Sequence, residues 1–172
     1  MQPDFKHIIQ LFDKINSTTA AMPQRVAVLA VNFSKERFIK KNWINESPEP
    51  WKKSRKKTGS TLVASGRLKR SIRKIRVGTD FVIIGTDVPY AKIHNEGGEI
   101  SGTEKVRAHT RKTHTRKCKG KSQVVKQHTV KPFSRKYRRK FEARQFIGKS
   151  AELERQIGKF INDEFAKVVN GF

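Results

Sequence analysis

Disulfides, membrane spans and acidic residues are absent or scarce in this chain of 172 residues. A single cysteine, Cys118, excludes an intramolecular disulfide framework and suits a reducing compartment. No apolar run approaches the roughly 20 residues that a bilayer-spanning helix needs, so no membrane partner is expected. The N-terminus lacks the form of a secretion signal, because Asp4 comes early and helical periodicity starts at once. Synthesis in a cytoplasm is the expectation. Apolar residues make up 35% of the chain, which fits one domain with a modest core, or one domain plus appendages. Acids number 15 against 39 Lys and Arg, for a formal net charge of +24.

That excess is segregated. Residues 1–50 carry +2, 51–80 carry +10, 81–100 carry −2, 101–140 carry +14, and 141–172 are neutral. Two strongly basic segments therefore sit in a near-neutral framework, and a field of this size calls for an anionic partner or an assembly that brings phosphates near. The alternatives are a solvated face, or pairing with acidic surfaces of neighbouring proteins.

Apolar spacing places the elements. Phe5, Ile8, Ile9, Phe12 and Ile15 predict a first helix started by Pro3 and Asp4, broken at Asn16-Ser17-Thr18-Thr19. A second helix is predicted from Pro23 through Val26, Leu29, Ala30 and Phe33 to about Phe38. Ser47-Pro48-Glu49-Pro50 ends it, and residues 46–60 read as an exposed basic loop anchored by Trp51. Leu68, Ile72 and Ile75 predict a helical turn passing into a strand; Phe81 to Ile84 predict a buried strand. Pro89 opens a short helix stopped by Gly97-Gly98. Residues 103–117 and 122–131 read as two basic strands around the turn Cys118-Lys119-Gly120-Lys121. With too few apolar side chains to be core, the 101–140 hairpin is expected to project. Ser150 is the expected N-cap of a final amphipathic helix lined by Leu153, Ile157, Phe160, Ile161, Phe165 and Val168. The predicted class is α+β: one domain over 1–172 with two N-terminal helices, a small mostly antiparallel sheet and a C-terminal helix on it.

Catalytic signals are thin. His94 with Glu96 and Glu99 is the best candidate for a general base or metal ligand. No second acid, nucleophile or phosphate loop accompanies it, and a polar residue closing a glycine turn explains it better. His109, His114, Cys118 and His128 fit no zinc-ligand spacing, and strand alternation would separate some of them onto opposite faces. No catalytic residue, metal or cofactor is expected. The candidate phosphate contacts are Lys52, Lys53, Arg55, Lys56 and Lys57, with Arg111, Lys112, Arg116, Lys117, Lys119 and Lys121 at the hairpin tip. Basic residues also crowd 67–76 and 135–140. Such contacts read charge rather than sequence, and Tyr137 is the only aromatic near them that could stack on a base.

Residues 62–98 are the most informative stretch. They contain Leu62-x-x-Ser65-Gly66-x-Leu68-x-x-Ser71-Ile72, then Ile84-Gly85-Thr86, then Tyr90-Ala91-x-Ile93-His94-x-x-Gly97-Gly98. Arg144, Phe146 and Gly148 follow within Glu142 to Gly148. This order, over roughly residues 30 to 170, resembles the virion morphogenesis (tail-completion) proteins of tailed bacteriophages. Glu142 stands where that family usually has proline. The resemblance implies a non-catalytic structural protein of the virion, assembled in the bacterial host cytoplasm. It further implies a ring at the head–tail junction, commonly sixfold, between the tail tube and the head-side neck proteins. In that setting Tyr90, His94, Gly97, Gly98, Arg144 and Phe146 are folding residues, and basic loops face packaged DNA. Two other classes stay open: a stand-alone, sequence-nonspecific nucleic-acid-binding module, and an enzyme using His94.

Overall fold

The computed structural model describes residues 5–54, 60–118 and 120–171. In chain order the elements are α1 (Phe5–Lys40), β1 (Asn42–Ile44), β2 (Pro48–Pro50), α2 (Arg67–Ser71), β3 (Arg73–Val77), β4 (Val82–Gly85) and α3 (Ala91–Glu96). There follow β5 (Gly98–Val106), β6 (His109–Arg111), β7 (His114–Cys118), β8 (Lys121–Val125), β9 (His128–Val130), β10 (Phe133–Phe141) and α4 (Ala151–Asn170). The class is α+β. The chain divides into two compact units: Met1–Gly97 with Glu142–Phe172, and Gly98–Phe141.

The first unit is built on α1, a single 36-residue helix where the sequence suggested two. The expected break at Asn16–Thr19 does not occur. Ser17 and Thr19 turn their hydroxyls back onto the carbonyls of Lys14 and Ile15 at 2.9 and 2.8 Å, so these residues satisfy themselves inside the helix. Pro23 lies within the same helix rather than at its start. The expected start at Pro3 and Asp4 lies outside the described residues. Packing begins only at Met22 and continues through Ala27, Ala30, Phe33, Ser34, Arg37 and Phe38.

Part of the expected 46–60 loop is ordered: β1 and β2 form a small hairpin pairing Asn42 with Pro50. Trp51 then turns inward and is buried, as its indole required. Its ring meets Phe38 edge-on at 5.5 Å, and Phe146 packs on Phe38 at 5.0 Å. These rings join Leu68, Ile72, Val88 and Ala91 in the core of the unit. Residues 55–59 of that loop lie outside the described residues.

α2 and β3 confirm the helical turn passing into a strand, with Leu68 and Ile72 buried but Ile75 exposed. β4 pairs antiparallel with β3, yet it is not the buried strand its composition suggested, since Ile83 is 47% exposed. Among the described residues, the antiparallel pairing that the sequence suggested takes the form of five two-stranded ladders rather than one continuous sheet. With strands of three to five residues in this unit, helix packing rather than sheet extension closes the core. Accordingly α4 packs along α1, where Glu164 pairs with Arg25 and Arg25 lies over the Phe160 ring at 5.0 Å. Ser150 is the N-cap of α4: its Oγ accepts from the Leu153 amide at 3.1 Å and donates to the Ile44 carbonyl at 2.6 Å. Glu152 and Glu154 occupy the first turn, where the helix dipole favours acids.

The second unit is one long hairpin. β5 pairs with β10 over nine residues, β6 with β9 over three and β7 with β8 over five, ending at Cys118↔Lys121. The expected turn position holds. The paired region, however, runs from Gly98 to Phe141, beyond the expected 103–131, and two-residue interruptions at 107–108 and 112–113 split it. No described residue of this unit is buried, so it has ladder bonds but no hydrophobic core.

Candidate functional site

Two regions hold the residues singled out in the sequence, one in each unit. In the first unit the motif residues converge on the packing of residues 142–150, a segment without regular structure. α3 ends at Gly97, whose φ of 76° is open to glycine and whose amide reaches the Ile93 carbonyl at 3.0 Å. That sharp stop leaves the end of α3 facing the segment. The Arg144 amide donates to the His94 carbonyl at 2.9 Å. Asn95 then acts as a clamp. Its Oδ1 accepts from the amides of Phe146 and Ile147 at 2.9 and 3.1 Å, and its Nδ2 donates to the Ile147 carbonyl at 3.0 Å.

From the other side, the Trp51 indole donates to the Gln145 carbonyl at 2.9 Å, and Arg144 Nε donates to the Lys52 carbonyl at 3.1 Å. Phe146 is thereby held in the core at 1% exposure. Ser71 and Thr86 share a hydrogen bond at 2.6 Å, and Thr86 accepts from the Val88 amide, fixing the turn before Pro89. Gly66, at φ 72°, caps α2; Gly85 leaves a space that a Cβ would fill 3.2 Å from Ile75.

Tyr90 stands edge-on to His94 with ring centroids 5.8 Å apart. Burial, and then the nearby Arg144 guanidinium, pull the His94 pKa below its ordinary value. The imidazole is therefore neutral at pH 7. These residues line a cleft of about 310 Å³ together with Ser65 and Arg67. The described side chains that line this cleft are cationic or neutral, an arrangement that suits packing. Among the described residues, no three His, Cys, Asp or Glu side chains gather where a metal could sit.

Asn95 was not singled out in the sequence, although it lies inside the Tyr90–Gly98 motif. An asparagine just ahead of a glycine pair was the available signal, since its amide can mimic backbone and complete a turn. Arg37 was missed too. It is buried at 2% exposure within α1, where it donates to Phe33 O, Asn42 Oδ1 and Glu36 Oε2.

The phosphate candidates separate into two groups. Lys52 is paired with Glu142 at 2.9 Å. Lys53 is exposed. Arg55, Lys56, Lys57 and Lys119 lie outside the described residues. Arg111, Lys112, Arg116, Lys117 and Lys121 are all exposed on the second unit.

That hairpin has a graded charge pattern. Glu99 and Glu104 are its only acids, and both are engaged at its base: Glu99 with Arg138, Glu104 with Arg135 at 3.1 Å and Arg139 at 3.7 Å. Between residues 105 and 141 there are fifteen Lys and Arg and no acid. Strand register puts Arg116 and Lys121 on one face of the tip and Lys117 on the other, so the tip is cationic on both faces. His109, His114 and His128 each hold Nδ1 3.0 Å from the carbonyl two residues back, which orients the rings along the backbone.

Comparison with family models matches residues 41–166 to the phage virion morphogenesis family. Comparison with curated proteins and with solved structures gives no match. The matched stretch begins directly after α1 and contains every motif residue named above, from Gly66 to Gly148. The chain belongs to the phage virion morphogenesis family, and its role is in the structure and assembly of the virion.

Proposed function

We propose that this protein completes the tail of a phage particle as a non-enzymatic structural subunit. Copies form a ring, sixfold in the simplest case, between the tail tube and the head-side neck proteins. The 101–140 hairpin faces the channel through which packaged DNA passes. The observation that carries the DNA contact is the acid-free run from 105 to 141, displayed on a hairpin that has no core of its own to stabilise. A cationic ribbon of this kind gains from phosphates by counterion release and reads no sequence. It also gains order from neighbouring strands, which a ring supplies.

The motif residues favour structure over chemistry, because Asn95 spends its hydrogen bonds on the backbone of Phe146 and Ile147, Arg144 bonds the His94 and Lys52 carbonyls, and Phe146 sits in the core. Light scattering of the purified protein across salt, with and without duplex DNA, tests the reading. A defined oligomer, or a ring formed only with virion proteins, supports it. A strict monomer binding DNA tightly at low salt points instead to the stand-alone nucleic-acid module. Replacing Arg111, Arg116, Lys117 and Lys121 by Gln is expected to lower the slope of log affinity against log salt by about 3 to 4, on any DNA sequence. An unchanged slope removes the tip from the DNA contact. Phage carrying the protein without residues 104–131 should lose DNA from the neck; normal necks that retain DNA would refute the channel placement.

A further inference from the structure

We propose that the N-terminal half of α1 in one copy docks into an apolar groove of the next copy, joining copies head to tail. This rests on the ring reading above and supplies the contact it needs.

The donor is an unpartnered stripe. No described residue of α1 before Met22 is buried. Phe5, Ile8, Ile9 and Phe12 nevertheless recur at helical spacing and are 74%, 39%, 59% and 61% exposed. Four large apolar side chains on one face of a helix are placed to be covered. The acceptor is a groove of about 750 Å³ between α1, β4 and α4 in the same unit, lined by Val26, Val82, Ile84, Ile157, Ile161 and Phe165 among others. α1 runs unbroken through Pro23, which holds the stripe of each copy out of its own groove.

Charge selects a second copy as the occupant. A chain of +24 repels itself, so its neutral surfaces are where a close contact between copies costs least. Donor and acceptor both lie there. Residues 1–16 hold two acids and two lysines, and α4 holds four acids against three cations. Among the described residues, the one charged side chain lining the groove is Asp80, which disfavours nucleic acid. Because stripe and groove are different surfaces of one chain, the contact is heterologous, and such contacts propagate into rings or filaments. α1 also lies outside the residues matched to the family.

The test uses full-length protein in three forms: wild type, an arm variant (Ile9→Glu with Phe12→Glu) and a groove variant (Ile161→Glu). Native mass spectrometry is expected to show wild-type assemblies larger than a dimer. Each variant alone should associate at least tenfold more weakly. Mixed, they should give a discrete one-to-one dimer, made by the intact arm of one and the intact groove of the other. The arm substitutions sit on exposed positions, so that variant keeps its fold, checked by circular dichroism. Should the groove variant unfold, Phe12→Cys with Ile161→Cys in a Cys118→Ser background replaces it. Oxidation should then give a ladder of linked copies, while either single cysteine stops at dimers. If wild type assembles and the arm variant assembles equally, this contact is wrong and the ring reading stands. A wild type that stays monomeric even with tail tubes present overturns both. An arm variant that loses only its binding to tubes assigns the stripe to a tube protein and refutes the second copy.

Discussion

Asn95 offers the sharpest test of how the motif residues hold this fold together. Its side chain makes three hydrogen bonds to the backbone of residues 146 and 147, at 2.9, 3.1 and 3.0 Å. Asn95→Ala leaves two amides and one carbonyl without partners in a half-buried place. Each such loss costs about 1 kcal/mol, and more where water cannot reach the group, so about 3 kcal/mol is expected in total. Asn95→Asp keeps both acceptances but loses the donation and turns an anionic oxygen toward the Ile147 carbonyl. Its cost should be smaller, about 1–2 kcal/mol. For a protein of this size, 3 kcal/mol corresponds to a fall in Tm of about 6–12 °C. Urea unfolding followed by tryptophan fluorescence is the assay. Trp43 and Trp51, the only tryptophans, both lie in the first unit, so the signal reports that unit alone. The midpoint should fall with an unchanged slope. An Asn95→Ala protein within about 0.5 kcal/mol of wild type would refute the clamp, because surface substitutions fall in that range. A larger cost for Asp than for Ala would refute the assignment of the amide.

Further outcomes follow from the same geometry. Hydrogen bonds from Arg25, and next from Lys167, pull the Glu164 carboxyl from its ordinary 4.5 down to about 2. A folded pKa below the unfolded one means that stability is fully present above about 4.5 and is lost as pH falls toward 2. The gap in Tm between wild type and Glu164→Gln should therefore be widest at neutral pH and close between these values. A gap independent of pH would refute the pairing. Gly97 combines φ 76° with ψ −168°, a conformation left almost entirely to glycine, so Gly97→Ala should cost about 1–3 kcal/mol by urea unfolding. A neutral effect would show that α3 can end otherwise. Deleting residues 150–172 removes Ser150 and all of α4, and should abolish infectious particles in a plaque assay. Wild-type titres would refute a need for the helix.

Much of the fold was legible where one local rule acted alone. Ser150 followed by Glu152 and a 3.6-residue apolar stripe specified α4 and its cap. Pro89 and Gly97-Gly98 bracketed α3, and Cys118 to Lys121 marked the hairpin turn. Where two local signals competed, the reading failed. Asn16 to Thr19 looked like a break because these side chains favour turns, yet the same hydroxyls can bond carbonyls one turn back and let α1 continue. The apolar run at 81–84 looked buried, but Phe81 and Ile83 stay 41% and 47% exposed while Val82 and Ile84 are half-buried.

The sequence alone determined the charge segregation, the helical and strand periods and the ordered motifs that carry the family, because each depends on residues close along the chain. Tertiary structure decided that Asn95 reaches Phe146 across 51 residues, that Trp51 reaches Gln145 across 94, and that Lys52 pairs with Glu142. Those pairings depend on where α3 and the loop after β2 meet the 142–150 segment in space, and no period or propensity along the chain encodes that meeting.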